Sequence, residues 1–219
     1  RGVVTLIVND LLKQGLVFEG ATGETMRGCK PTFLYIDSRR RAIVATDIRA
    51  SGTFVLLTDL LGKPISGVVN LRTPRDPKAL IAALAKRIQA LRSEHPDIES
   101  IEGIGVVVPG MVERATMQIL HAPTLGWRNV NLRESLSAAT GLPVQIENSG
   151  RACALAPAWA MRDAAAAGAG ALRVVSVSDG VGVGVMIHGE LVRGSHNIAG
   201  EFGHVPLSLD GPRCSCGST

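Results

Sequence analysis

Aromatic residues are scarce in this sequence, at 3% of 219 residues, and cysteine occurs only four times. With so few rings, we expect a core of aliphatic side chains rich in alanine. Four scattered cysteines do not form the disulfide framework of a small secreted scaffold, so the composition favours a reducing compartment. No apolar run is long enough to cross a bilayer and no signal peptide is visible, so we expect a cytoplasmic protein without membrane contact.

What the sequence does contain is a large apolar fraction and a small excess of positive charge. Hydrophobic residues make up 46% of the chain, which is enough to bury a substantial core and to form more than one domain. The formal net charge is +4, which is compatible with nucleic-acid binding but does not by itself indicate it.

An amphipathic helix is predicted at the start of the chain. Apolar residues recur there with helical spacing, at Val4, Ile7, Val8, Leu11 and Leu12. The opposite side carries polar residues, namely Arg1, Thr5, Asn9 and Lys13. A solvated face is the commoner explanation of such a pattern, and contacts to phosphates and bases are the alternative.

The segment after this helix has the pattern of two strands joined by a basic turn. Residues 16–18 are apolar, residues 19–28 are rich in turn formers, and residues 30–36 read as a strand. Helix, strand, basic loop and strand is the order of elements at the end of a winged helix. Residues 1–36 are therefore predicted to be the C-terminal part of a winged helix-turn-helix DNA-binding domain.

Strand and helix patterns alternate in the remainder of the chain, which predicts an α/β fold. Helices are expected at residues 76–95, 132–139 and 151–167, and strands at residues 43–47, 54–57, 65–71, 101–108, 144–147, 172–177 and 183–187. A polar joint at 37–41 and an Ala/Gly segment at 164–170 are candidate boundaries. They divide this part of the chain into a first lobe, 37–168, and the start of a second lobe, 169–219.

The last stretch of the chain has a histidine followed by a close pair of cysteines. His204 ends the run Gly-Glu-Phe-Gly-His, and Cys214 and Cys216 form a Cys-x-Cys pair. Imidazole nitrogen and thiolate sulfur are ligands that zinc favours. Because most zinc patterns use Cys-x-x-Cys, the spacing alone leaves two explanations open, a metal site or two unrelated loop cysteines beside a surface histidine.

These motifs resemble the signature of the ROK family, which groups sugar-responsive repressors with sugar kinases. The family pattern is Gly-Glu-x-Gly-His followed by Cys-x-Cys-Gly-x-x-Gly-Cys, and it binds a structural zinc. The resemblance implies zinc ligands at His204, Cys214 and Cys216, with the next cysteine beyond Thr219. It covers nearly the whole chain and implies the actin-like, ribonuclease H-like fold of sugar kinases. We therefore expect a piece of a longer protein, cut at both ends.

The resemblance also implies two sets of binding residues. The N-terminal segment is similar to the DNA-binding end of ROK repressors, with Cys29 and Lys30 in place of the usual wing arginines. The expected DNA contacts are Arg1, Thr5, Asn9 and Lys30. The positions that line or support the sugar pocket of the family are Gly110, Asn148, His196, Glu201 and His204.

Positions that ROK kinases use for phosphoryl transfer are altered in this sequence. The phosphate loop Asp-x-Gly-Gly-Thr is replaced by residues 47–51, with side chains on Arg49 and Ala50. Ser149 stands where the family has its catalytic Asp, and a serine hydroxyl is no base at neutral pH without a partner. The glycine run at 180–184 is kept, but Asp179 precedes it where kinases have Thr, and its carboxylate would repel a phosphate.

These features predict a ROK-type transcriptional regulator without kinase activity. It is expected to bind operator DNA as a homodimer or homotetramer and to respond to a sugar or sugar-phosphate effector. One alternative is a ROK sugar kinase that phosphorylates a hexose with ATP. Another is a degenerate lobe that serves only in oligomerisation.

Overall fold

The computed structural model describes residues 2–23, 30–38, 40–160, 170–206, 208, 210–214 and 216–217. Arg1, the wing residue Cys29 and the expected end of the last helix at 161–167 lie outside the described residues. So does most of the predicted Ala/Gly boundary at 164–170.

The described elements alternate between strand and helix, which confirms the predicted α/β class. The helices are α1 (Gly2–Lys13), α2 (Pro77–Glu94), α3 (Leu132–Thr140) and α4 (Ser149–Ala160), with 3₁₀ turns at Pro123–Leu125 and Phe202–His204. The strands are β1 (Val17–Thr22), β2 (Thr32–Ile36), β3 (Arg41–Ile48), β4 (Thr53–Thr58), β5 (Val69–Leu71), β6 (Ser100–Val108), β7 (Met111–Val112), β8 (Ile119–Ala122), β9 (Trp127–Val130), β10 (Val144–Asn148), β11 (Ala171–Val177), β12 (Val181–Ile187) and β13 (Glu190–Leu191).

A five-stranded sheet of order β10-β6-β3-β4-β5 forms the centre of the fold. Strand β3 pairs in parallel with β6 and antiparallel with β4, and β6 pairs in parallel with β10. Side chains alternate between buried and half-buried along β3, because successive residues of a strand point to opposite faces. The buried face packs against α2 and α3, whereas the other face is more open.

The core under the central sheet is aliphatic, as expected from the shortage of aromatic residues. Its largest fully buried members include Leu57, Leu80, Leu84, Leu91, Ile104 and Leu136, with Trp127 as the aromatic exception. Alanine has a smaller part than expected, since Ala42 and Ala122 are the alanines of this cluster among the described residues. Asp76 begins α2 by accepting the N–H of Lys78, and Pro77 occupies a position whose N–H the helix does not need.

Residues 111–130 form a small antiparallel sheet of β7, β8 and β9 that the sequence did not predict. Its strands have only two to four residues, which is too short to establish a period of two. Trp127 is buried in it, and its indole N–H donates to the carbonyl oxygen of Arg75 at 2.8 Å. This sheet lies between β6 and α3 in the chain, a stretch for which the sequence predicts no strand or helix.

A C-terminal sheet of order β11-β12-β13 packs against α4. Gly184 of β12 faces the helix, where an added Cβ would lie 2.4 Å from the Cβ of Ala154 and 2.5 Å from the carbonyl oxygen of Gly150. At this position the glycine therefore serves close packing of helix and strand. The glycine run also follows a tight turn between β11 and β12, in which the Ser178 N–H donates to the carbonyl oxygen of Gly180 at 2.9 Å.

The N-terminal module consists of α1 and the antiparallel hairpin β1–β2. It is joined to the central sheet through Arg41, whose guanidinium donates to the carbonyl oxygen of Gln14 at 3.1 Å and pairs with Glu102 at 3.0 Å. Of the predicted apolar stripe of α1, Val4 and Ile7 are exposed, whereas Val8, Leu11 and Leu12 are half-buried.

The strand expected at 65–71 is shorter, since β5 begins at Val69. Before it, Ile65 and Ser66 donate backbone N–H groups to the carbonyl oxygen of Leu57, which forms a turn instead of a ladder. No helix in the described part of the chain is long and apolar enough to cross a membrane.

Candidate effector and metal site

Asn148 and Gly110 are brought together at the carboxyl ends of the parallel strands β10 and β6. The Nδ2 of Asn148 donates to the carbonyl oxygen of Gly110 at 2.8 Å. Gly110 has φ +101°, and a Cβ there would lie 2.2 Å from the carbonyl oxygen of His121, so only glycine fits. The amide is buried and its Oδ1 accepts the backbone N–H of Arg151 at 3.2 Å, which fixes its orientation.

Glu147 lies between two guanidinium groups beside this pair. Its Oε1 accepts a hydrogen bond from Nε of Arg151 at 2.8 Å, and its Oε2 forms an ion pair with Nη1 of Arg193 at 2.6 Å. Burial alone would raise the pKa of Glu147, but hydrogen bonds from Arg151, the Asn148 N–H and Arg193 outweigh it, so its pKa lies below the ordinary value. The Arg151 side chain is 1% exposed, which makes this ion pair a buried one.

Asn197 connects this cluster to the chain that carries His196. Its carbonyl oxygen accepts Nη1 of Arg151 at 2.7 Å, and its Nδ2 donates to the carbonyl oxygen of Val112 at 2.7 Å. Asn197 is buried and has φ +57°, a conformation that asparagine tolerates better than most residues. His196 is exposed, and its Nδ1 lies 3.1 Å from the hydroxyl of Ser195.

The sequence did not assign a role to Arg151, Arg193 or Asn197, although they hold the predicted residues in place. A local signal existed for one of them, since Glu147 and Arg151 are four residues apart and of opposite charge. Arg193 and Asn197 reach Glu147 and Val112 only through the folded chain, so no local pattern could have found them.

The 3₁₀ turn Phe202–His204 packs against β12, and the last two predicted pocket residues lie at its two ends. Glu201 precedes the turn and is half-buried, and its Oε2 lies 3.8 Å from Nε2 of His204. The structure therefore forms two pairs, Asn148 with Gly110 and Glu201 with His204. His196 lies between them in the chain, beside the Asn197 carbonyl bound by Arg151.

The second ring nitrogen of His204 faces the cysteine pair. Its Nδ1 lies 3.7 Å from Sγ of Cys214, and the ligand atoms of His204, Cys214 and Cys216 all lie within 4.8 Å of one another. A tetrahedral zinc with Zn–S near 2.3 Å and Zn–N near 2.0–2.1 Å separates its ligand atoms by about 3.5–3.8 Å. The three residues therefore fit a metal-binding group, and the Glu201 carboxylate lies beside the other ring nitrogen of His204.

A cavity of about 860 Å³ lies on the open face of the central sheet, on the side away from α2 and α3. Its wall includes Asp47, Arg49, Glu147, Arg193 and Asn197. None of the five predicted effector residues lines it. The predicted effector residues therefore do not line this cavity. They adjoin it through Glu147, Arg193 and Asn197, which do line it.

The turn after β3 is occupied by charged side chains. Arg49 pairs with Asp47, with Nη2 2.6 Å and Nε 2.8 Å from Oδ2, and its guanidinium lies over the ring of Phe54. The hydrogen bond and charge of Asp47 raise the pKa of Arg49 above its ordinary value. Ser149 begins α4, and within the described residues its hydroxyl has no hydrogen-bond partner that would make it a base.

The predicted DNA-contacting residues belong to the N-terminal module, which contacts the start of β3, whereas Asn148 and Gly110 lie at the carboxyl ends of β10 and β6. Thr5 and Asn9 are exposed on α1, and their spacing of four residues places them on one face of the helix. Lys30 is exposed just before β2. Arg1 lies outside the described residues.

Comparison with known proteins identifies the class. The chain belongs to the ROK family, whose sequence pattern matches residues 54–219. A xylose repressor of Caldicellulosiruptor bescii is 30% identical over 220 residues, which cover 100% of this chain and 54% of that protein. A glucokinase of Streptomyces coelicolor is 33% identical over 147 residues, which cover 67% of this chain and 44% of that protein.

The chain spans about half the length of the curated relatives it matches. Among solved structures, a ROK family transcriptional regulator described as a homolog of the E. coli MLC protein aligns with a TM-score of 0.77 at 23% identity. That alignment covers 98% of this chain and 54% of the other. The likeness confirms the predicted actin-like, sugar-kinase fold.

Proposed function

We propose that the protein containing this chain is a ROK-type transcriptional regulator that binds operator DNA, responds to a sugar or sugar derivative and has no kinase activity. One observation carries the proposal. The match to xylose repressors extends over the whole chain, including α1 and the β1–β2 hairpin, which precede the family pattern at 54–219. The glucokinase match is confined to 147 residues.

The DNA-binding part of the proposal rests on α1 and the hairpin as the end of a winged helix. Thr5 and Asn9 on the exposed face of α1, together with Lys30 and Arg1, would contact phosphates and bases. The hydrogen bond from Arg41 to Gln14 ties the end of α1 to the central sheet. A change in the sheet would therefore reach the DNA-binding module directly. In a dimer, two such modules would bind a palindromic operator.

The effector part rests on a set of fixed polar groups. Asn148, Gly110, His196, Glu201 and His204 offer an amide, a carbonyl, two imidazoles and a carboxylate, which suit the hydroxyl groups of a sugar. The Glu147–Arg151–Asn197 contacts connect the strand bearing Asn148 to the loop bearing His196. Because relatives are named xylose repressors, D-xylose belongs in the first panel of candidate effectors.

The metal part assigns a structural zinc to His204, Cys214 and Cys216. When bound, the ion would supply no chemistry beyond crosslinking the cysteine loop to the turn Phe202–His204. The three side chains would hold Glu201 in place through His204, since these two residues already face each other at 3.8 Å. The donor set of one imidazole and two thiolates supports zinc over harder cations.

A sugar kinase is the alternative class, and three positions disfavour it. Arg49 forms an ion pair with Asp47 in the turn that corresponds to the phosphate loop of the kinases. Ser149 has no hydrogen-bond partner within the described residues that could act as a base. Asp179 adds a negative charge that would repel a phosphate. A purely structural role is the third possibility.

Thermal shift and operator binding of the full-length protein, measured across a panel of sugars and sugar phosphates, distinguish these classes. A sugar that raises the melting temperature and changes operator affinity supports the regulator, whereas ATP-dependent turnover of that sugar would contradict it.

A further inference from the structure

The N-terminal module is attached to the central sheet mainly by polar contacts. None of its described residues belongs to the hydrophobic core or packs against it. A cavity of about 330 Å³ lies at the junction, and it is lined by Gly15, Asp37, Arg40, Arg41 and Glu99. Within the described part of the chain, hydrogen bonds and charges therefore matter more for the orientation of the module than apolar packing against the core does.

Arg41, at the start of β3, makes one of these bonds with the end of α1. Gly15 follows the helix with φ +63°, and the N–H groups of Gly15 and of the residue after it donate to the carbonyl oxygens of Leu12 and Leu11. This arrangement leaves the carbonyl oxygen of Gln14 for another donor, and Nη2 of Arg41 binds it at 3.1 Å. A positive charge at this end of a helix is also favoured by the helix dipole.

A β-bulge in β6 supplies the second partner of Arg41. Successive residues of β3 pair with Ile101 and Gly103, so Glu102 is an extra residue with no pairing partner in β3. The alternation of buried and exposed side chains along β6 shifts by one residue at the same point, and Glu102 is exposed. Its Oε1 lies 3.0 Å from Nη1 of Arg41 and also accepts the hydroxyl of Ser100. The bulge thus turns a fixed carboxylate toward Arg41.

We propose that Arg41, anchored by Glu102, is a clamp that sets the orientation of α1 on the central sheet. One arm of the guanidinium holds the helix end and the other holds the sheet, and the planar fork keeps both contacts in one geometry. Operator binding by a dimer requires two copies of α1 at a fixed separation, so the clamp positions α1 for DNA without touching it. This inference deepens the proposed function, and its operator part rests on that function.

The first test is amide hydrogen exchange in the full-length protein without sugar or DNA. Arg41→Ala should speed exchange of the peptide at 11–16 by roughly two- to fivefold, the range for a partly exposed charged contact. Exchange of β4 in the central sheet should not change, which separates loss of the clamp from general destabilisation. Glu102→Ala should also speed exchange at 11–16. The double variant should be no faster than Arg41→Ala alone, because Glu102 acts only through Arg41.

Arg40→Ala is the matched control. Arg40 is the neighbour of Arg41, but its guanidinium pairs with Glu99, which immediately precedes β6. The variant removes the same charge and should leave exchange at 11–16 at the wild-type rate. If Arg41→Ala does not fold, Arg41→Lys replaces it, because lysine keeps the charge without the planar fork.

Operator affinity is the second measurement, made on a DNA site that the wild-type protein selects from random sequence. Arg41→Ala should weaken binding by a similar factor without changing the slope of log affinity against log salt, because the clamp does not touch DNA.

Three outcomes would overturn the clamp. They are unchanged exchange at 11–16 in Arg41→Ala, unchanged operator affinity in this variant, and a salt slope reduced by about 1, as a direct phosphate contact would give. If the wild type selects no operator, the regulator proposal fails, whereas the exchange measurements still decide whether Arg41 holds α1.

Discussion

The Nε of Arg151 donates to Oε1 of Glu147 at 2.8 Å, and the same guanidinium binds the carbonyl oxygen of Asn197 at 2.7 Å. One buried cation thus joins the start of α4 to the end of β10 and to the loop after β13. Since Arg193 holds the other oxygen of Glu147, the carboxylate is the centre of the cluster. Its loss would leave two guanidinium groups without their shared partner.

Glu147→Gln should therefore destabilise the protein by about 3–5 kcal/mol, the usual cost of breaking a buried ion pair. The pKa of Glu147 is lowered in the folded state, so its stabilising contribution is present above the unfolded value of about 4.3. That contribution is lost as the pH falls through the lowered pKa. Urea unfolding of both proteins should show a free-energy difference that is constant near neutral pH and shrinks below pH of about 4.

Glu94→Gln provides the control for this experiment. Glu94 also accepts a bidentate contact from Arg87, but its side chain is half exposed, and exposed ion pairs contribute little. A Glu147→Gln protein as stable as Glu94→Gln across the pH range would mean that the cluster does not hold the fold together.

The zinc proposal is tested by metal content. Full-length protein should contain one zinc per chain, and Cys214→Ser should lose it, because a hydroxyl is a poor substitute for a thiolate ligand. Occupancy should also fall at acid pH, since the ligands must be deprotonated. Cys153→Ser is the control, because Cys153 is a free cysteine outside the His204 group. Zinc-free wild type that folds and responds normally would contradict the assignment.

Glu201 is expected to act on the effector and not on DNA. Glu201→Ala should weaken binding of an active sugar by about 1–3 kcal/mol, because a ligand hydroxyl loses its hydrogen-bond partner. Operator affinity without sugar should stay unchanged. Glu190→Ala, an exposed carboxylate on β13, should bind both as wild type does. Calorimetry with the sugar and anisotropy with the operator measure the two quantities, and a normal sugar response in Glu201→Ala would place the pocket elsewhere.

Lys30 is expected to contact a DNA phosphate beside the hairpin. Lys30→Ala in full-length protein should weaken operator binding and reduce the slope of log affinity against log salt by about 1, since one counterion fewer is released. Lys63→Ala removes the same charge from an exposed turn of the central sheet and should leave the slope unchanged. Equal salt slopes in wild type and Lys30→Ala would exclude the contact.

The elements that the sequence predicted are those with a sustained hydrophobic period. Helix α2 buries Leu80, Leu84, Ile88 and Leu91 along one face, and the period is visible without the fold. Strands β7 to β9 are too short for any period. The contacts of Asn197 with Arg151 and Val112 span 46 and 85 residues, so only folding brings them together. Patterns of neighbouring residues thus predict secondary-structure elements and motifs, whereas the contacts that hold the site residues in place form only in the tertiary structure.

Wild-type protein should transfer no phosphate from ATP to a hexose, because Ser149 has no hydrogen-bond partner within the described residues to remove its proton. Ser149→Asp should remain inactive as well. A base restored at this position still faces a turn in which Arg49 is paired with Asp47 and Ser51 already binds Asp179. A coupled assay, with the Streptomyces coelicolor glucokinase as positive control, measures the rate. Turnover by wild type would contradict the proposal that this regulator has no kinase activity. Turnover by the Ser149→Asp variant but not by wild type would mean that the altered turn does not block nucleotide binding.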